Sequence, residues 1–196
     1  ESPYAGMEHQ SAIAYGNGYT NDYVIFDYII LHETAHEWWG NSLSAADLAH
    51  VWLHEGFATY SEALYVEFAQ GKNAYLDYMQ NQRFTILNKR PVVGPMNRKY
   101  FSYKDGDVYM KGSWILHTLR SVIADDTLFF DILKTFRTEN NMKQITSQVL
   151  VDLLNKKTGK NYDWFFKQYL YKRKAPFIEW YFEAGKLYFR WKYTAD

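Results

Sequence analysis

The stretch "FDYIILHETAHEWWGN", residues 26–41, decides how the rest of the chain is read. Apolar residues fall at helical spacing from Tyr23 to Trp39, Asn21 or Asp22 offers a capping side chain, and Gly40 with Asn41 supplies a left-handed stop. A helix over 23–39 is therefore predicted, with HETAH in its C-terminal half. Residues four apart share a helical face, so His32 and His36 can present two imidazole nitrogens to one point. Glu33 sits roughly 100° further around the helix, so it need not bind a metal and can face bound water instead.

Eighteen residues separate His36 from the glutamate of "WLHEGFATYSE", Glu55. A break at Gly40 and Asn41 lets the chain turn and bring a second helix, expected over 53–70, back alongside the first. Glu55 can then complete a site of two histidines and a carboxylate, the ligand set of a hydrolytic zinc ion with one position left for water. Glu62 lies seven residues on, near the same helical face, where it can orient a ligand histidine or serve packing alone. His50, His54 and His117 read as structural rather than ligating.

Further along, helices are expected over 73–89, 108–124, 127–138, 147–158 and 162–172, with a long loop over 91–107 holding two prolines and two glycines. The period then changes from 3.6 to 2 in "FIEWYFEAGKLYFRWKY", which predicts a hairpin turning at Ala184 and Gly185. A lone hairpin is marginal in water, so it should pack on the helices or begin a further domain. The opening "ESPYAGMEHQSAIAYGNGY" leans toward a strand that ends in a loop, and it starts in mid-strand, as a piece of a longer protein would.

Composition narrows the function classes. Twenty-two basic residues balance twenty-two acidic ones, and "KKTGK" and "YKRK" are short and isolated, so no field favours nucleic acid. The absence of cysteine excludes disulfides, thiolate metal sites and cysteine nucleophiles, and it leaves the compartment open. The longest apolar run, "YVIFDYIIL", is too short for a bilayer and is interrupted by Asp27.

Taken together, "HETAHEWWGN", the eighteen-residue gap to Glu55, "GMEHQ" upstream and "VYMKG" downstream resemble the zinc aminopeptidases of the aminopeptidase N and leukotriene hydrolase type, which are gluzincins. The resemblance covers roughly residues 5 to 120. It implies a mainly α (α+β) fold, a thermolysin-like zincin catalytic domain with an N-terminal edge strand and a C-terminal hairpin. It assigns one zinc ion to His32, His36 and Glu55, with Glu33 as general base. The family's glycine-x-methionine-glutamate-asparagine motif falls on Gly6, Met7, Glu8 and His9, with histidine in the asparagine's place. Glu8 is thereby assigned the substrate's free α-ammonium, Gly6 and Met7 substrate contact, and Tyr109 the stabilisation of the transition state. Peptides are the implied partners, with flanking domains around a catalytic domain over 1–174 and a following β module begun by 175–196. A thermolysin-like zinc endopeptidase, or a peptide-binding fragment of weak activity, stands as the alternative.

Overall fold

The computed structural model describes residues 3–19, 26–98 and 105–195. Its helices are α1 (Tyr28–Ala35), α2 (Trp52–Gln70), α3 (Lys72–Thr85), α4 (Asp107–Ile123), α5 (Asp126–Glu139), α6 (Ser147–Thr158) and α7 (Asp163–Tyr169). Three two-stranded ladders accompany them. β1 (Gly6–Met7) pairs antiparallel with β2 (Ala14–Tyr15), β3 (Leu43–Ala45) runs parallel to β4 (Lys143–Ile145), and β5 (Phe177–Glu183) forms a hairpin with β6 (Lys186–Lys192). The chain is mainly α with a few short strands. No helix among the described residues is long and apolar enough to cross a membrane.

Helix α2 is the axis of the core. Trp52, Phe57, Tyr60 and Ala63 recur on its buried faces and meet Val108, Leu116 and Leu119 of α4 and Phe129 and Phe136 of α5. Truncating one of these rings, Phe57 for instance, would cost about 3–5 kcal/mol. The two longest helices cross where glycine faces glycine: a Cβ added to Gly112 would lie 2.8 Å from the Gly56 Cα. Only glycine permits that backbone approach, which brings α4 hard against the residue following Glu55.

The structure corrects several sequence expectations. Helix α1 begins at Tyr28 rather than residue 23, because the Asp27 side chain caps it by accepting from the amides of Ile29 and Ile30. Asn21 and Asp22, the caps expected from sequence, lie outside the described residues, as do 23–25 and 99–104. The helix also stops early, with His36 as its C-cap. Gly40, at φ 140°, lies four residues beyond the C-cap and does not end the helix; a Cβ there would press on the rings of His36 and His54. Helix α3 ends at Thr85 where Ile86 turns extended, and α7 ends at Tyr169.

β3 and β4 were not anticipated. Each is three residues long, and the ladder joins positions a hundred residues apart, so neither carries a period-2 signal of its own. The opening segment, expected to form a strand, has only the two-residue β1 and β2, paired antiparallel. The hairpin turns at Ala184 and Gly185, both at positive φ, as its tight turn requires. It does not pack on the helices. Its register puts Ile178, Trp180, Phe182, Leu187, Phe189 and Trp191 on one face, and all six are exposed. The opposite face carries Glu179 paired with Arg190 and Lys192. The anchorage to the body lies near its base, where Gln168 bonds the Tyr193 carbonyl and the Ala195 amide.

Candidate metal centre and active site

His32 is in the last turn of α1 and His36 caps it, so one helical turn separates the two rings, whose centroids are 4.8 Å apart. Helix α2 returns alongside and brings Glu55 from its first turn. The Glu55 Oε2 lies 3.3 Å from His32 Nε2 and 3.4 Å from His36 Nε2. Two ligand atoms at ordinary zinc distances in a tetrahedron are about 3.3 Å apart, so these spacings are those of a tetrahedral edge. All three residues are buried.

Each imidazole is oriented by a partner on its far nitrogen. His32 Nδ1 donates to Glu62 Oε1 at 2.7 Å, and His36 Nδ1 donates to the Trp39 carbonyl at 2.8 Å. With Nδ1 engaged on the far side, Nε2 of each ring is the nitrogen turned toward Glu55, to which it donates in the metal-free site and from which a metal would displace the proton. Glu62 is held in turn by the Tyr78 hydroxyl from α3. Tyr78 carries no motif, and the only hint of it in sequence is its place on a helix that must pack beside α2.

Without a cation the site is electrostatically unsettled. Burial disfavours charge on His32, but its hydrogen bonds to Glu55 and Glu62 outweigh that and hold its imidazolium well above the usual histidine range. For Glu55, burial would raise the pKa, yet the bonds from His32 and His36 draw it below the ordinary carboxylate range. A divalent ion would take the place of those imidazolium protons, and the donor set of two imidazoles and a carboxylate suits zinc.

Glu33 projects from α1 toward β1. Burial raises its pKa, making it a better proton acceptor than a solvated glutamate, and its Oε2 is buried without a hydrogen-bond partner among the described residues. β1 passes directly over this carboxylate at Gly6, where a Cβ would fall within 2.7 Å of the Glu33 Cγ and Cδ. Glu8 follows, and ligand atoms of Glu8, Glu33 and His36 all lie within 4.8 Å of one another. Asn41 donates to the Glu8 carbonyl at 3.1 Å and to Glu37, tying the residue after β1 to the end of the turn that carries His32 and His36. Sequence reading gave Asn41 only a helix-ending part.

Tyr109, in the first turn of α4, brings its ring to 6.0 Å from that of His32. Gly6, Met7, Glu8, Glu33, Tyr109 and the three candidate ligands all line one cavity of about 430 Å³. His9 is exposed and does not line it. The remaining histidines bond elsewhere: His50 to Ser147, His54 to the Ala45 amide and His117 to the Tyr75 hydroxyl.

Known proteins resemble this chain in sequence and in fold. The chain is 30% identical to human endoplasmic reticulum aminopeptidase 2 over 106 residues, which is 50% of this chain and 11% of that protein. It is 28% identical to mouse aminopeptidase N over 110 residues, again 50% of this chain and 11% of the relative. The chain therefore spans about a tenth of the length of these relatives. Its fold superposes on an M1 zinc metallopeptidase from Deinococcus radiodurans with a TM-score of 0.72, at 24% identity, over 87% of this chain and 37% of that one. It superposes on leukotriene A4 hydrolase from Saccharomyces cerevisiae with a TM-score of 0.71, at 21% identity, over 87% of this chain and 30% of that one. Residues 3–169 match the Peptidase family M1 domain, and the chain belongs to that family.

Proposed function

We propose that this chain is the catalytic core of a zinc aminopeptidase that hydrolyses the first peptide bond of peptides bearing a free amino terminus. The observation that carries the reading is the convergence of His32 Nε2, His36 Nε2 and Glu55 Oε2, beside two further carboxylates on the same cavity wall. Four glutamates, Glu8, Glu33, Glu55 and Glu62, line a cavity that holds only two imidazoles against them. That excess of negative charge suits two cations, a single zinc ion and a substrate ammonium.

Zinc, when bound, supplies a water of lowered pKa and polarisation of the substrate carbonyl. His32, His36 and Glu55 would hold the ion. The buried Glu33 carboxylate accepts the proton of the attacking water and delivers it to the leaving amine. The Tyr109 hydroxyl donates to the oxygen on which negative charge develops, an interaction of a kind worth about 2.7–4 kcal/mol. Glu8 pairs with the α-ammonium and sets which bond lies over Glu33, with Gly6 and Met7 lining the cavity beside the first residue.

In this reading residues 1–174 form a thermolysin-like zincin catalytic domain, and the hairpin over 175–196 begins a following β module. The six exposed apolar side chains on one hairpin face support a neighbouring layer there, and the relatives' far greater length accords with flanking domains. Turnover of a free peptide amide against its N-acetylated twin tests the proposal. An aminopeptidase cleaves the free peptide alone, and Glu8→Ala erases that preference. Equal cleavage of both by the unmodified protein would make it an endopeptidase.

A further inference from the structure

The first two turns of α4 carry two buried charges that the proposed chemistry does not use. Asp107 is 1% exposed and Lys111 is 4% exposed. They are four residues apart, so they share one helical face, and each is two residues from Tyr109, about 200° around the helix. Tyr109 therefore faces the metal cavity while the pair faces the opposite way, into the body of the protein.

Both charges are spent on backbone. The Asp107 carboxylate accepts from the amides of Leu87 at 2.8 Å and Asn88 at 2.7 Å, in the irregular segment that leaves α3. Lys111 Nζ donates to the carbonyls of Arg173 at 2.8 Å and Lys172 at 3.4 Å, in the segment that leaves α7. On a third side Gly112 rests against Gly56, next to the candidate ligand Glu55. Burying charge is costly, and apolar side chains of similar volume would fill the space at less expense. What apolar side chains cannot do is fix two loops and a helix end at defined distances through directed hydrogen bonds.

We infer that Asp107 and Lys111 are positioning residues, which clamp the start of α4 from behind and so set where the Tyr109 hydroxyl meets the reacting carbonyl oxygen. The inference rests on the reading of Tyr109 given above. Neither residue touches His32, His36 or Glu55, so the clamp acts on the rate of the chemical step and leaves metal affinity alone.

A double-mutant cycle in the full-length protein tests it, using Tyr109→Phe, Lys111→Met and the double variant, with kcat, KM and zinc affinity by chelator competition as readouts. Tyr109→Phe is expected to lower kcat by about 100-fold or more. Lys111→Met is expected to lower kcat by about tenfold or more, with KM and zinc affinity within about twofold of the parent. In the Tyr109→Phe background, Lys111→Met should cost less than about twofold, because the hydroxyl it positions is already gone. The same loss in both backgrounds would overturn the clamp while leaving Tyr109 its part. A normal kcat in Tyr109→Phe would overturn both. If Lys111→Met does not fold, Asp107→Asn, which keeps volume and one acceptor, carries the same comparison and is read in the same way.

Discussion

Gly6→Ala is the most discriminating single change in the site. Gly6 lacks the positive φ that would make alanine conformationally strained, so whatever the substitution costs is steric. The added methyl would lie 2.7 Å from both Cγ and Cδ of Glu33 and closer still to its Oε1. Carbon atoms settle at about 3.5–4.0 Å, so either β1 or the Glu33 side chain must withdraw by about 1 Å. A displacement of that size in a reacting group costs about 100-fold in rate, or about 2.7 kcal/mol in the barrier. The three atoms nearest the methyl all belong to Glu33 and none to a candidate metal ligand, so zinc affinity should be unchanged. The assay is kcat on a free peptide amide, alongside chelator competition for zinc and a melting curve to establish folding. A folded, zinc-replete variant with the parent kcat would refute the placement of Glu33 beneath β1 and, with it, the base assignment that depends on that placement.

Other outcomes follow from the same geometry. Glu33→Gln should retain zinc and lose about 100-fold or more in kcat, and joint loss of metal and turnover would count against its part as a base. Glu62→Gln removes the carboxylate shared by His32 and Tyr78 and should weaken zinc binding by about 10–100-fold, read by chelator titration; an unchanged affinity would leave Glu62 a packing residue. Burial depresses the Lys111 ammonium to about 8, from the ordinary lysine value of 10.5. Between those values the unfolded chain holds the extra proton, so stability rises with pH across that window, by on the order of 3 kcal/mol in all, and the penalty is fully present below about pH 8. Urea unfolding of the parent should show this alkaline gain and Lys111→Met should lack it; parallel pH profiles would exclude the assignment.

The geometry of the candidate metal cluster was legible where its residues are local. One turn of helix fixes His32 against His36, and a seven-residue interval sets Glu62 near the face of Glu55, so spacing alone carries their geometry. The long helices α2, α4, α5 and α6 were also legible, since each has several turns over which a period can be read. What escaped depends on partners distant in sequence. Helix α1 starts late because Asp27, a local cap that the sequence reading passed over, takes the amides of Ile29 and Ile30; its further bond from the Tyr15 hydroxyl of β2 is a contact that no local pattern encodes. Tyr78 acquires its part only when α3 lies beside α2. Asp107 and Lys111 look in sequence like a solvated i,i+4 pair on a helix surface, and only the packing of two loops over them reveals burial.

The β3–β4 ladder constrains the order in which the protein can come together. Leu43–Ala45, midway between the segments that carry the candidate ligands, is completed by Lys143–Ile145, and Ser42, His50 and Trp52 reach across to Asn141 and Ser147. A ribosome-bound chain that has exposed both histidines and Glu55 still lacks the strand that fastens the connection between them. Ion capture is therefore coupled to an event nearly a hundred residues downstream, a large loop closure for so small a ladder. Zinc retention by nascent chains of increasing length would rise late, near residue 147, making the ion a reporter of when synthesis has delivered the last piece of its own cage.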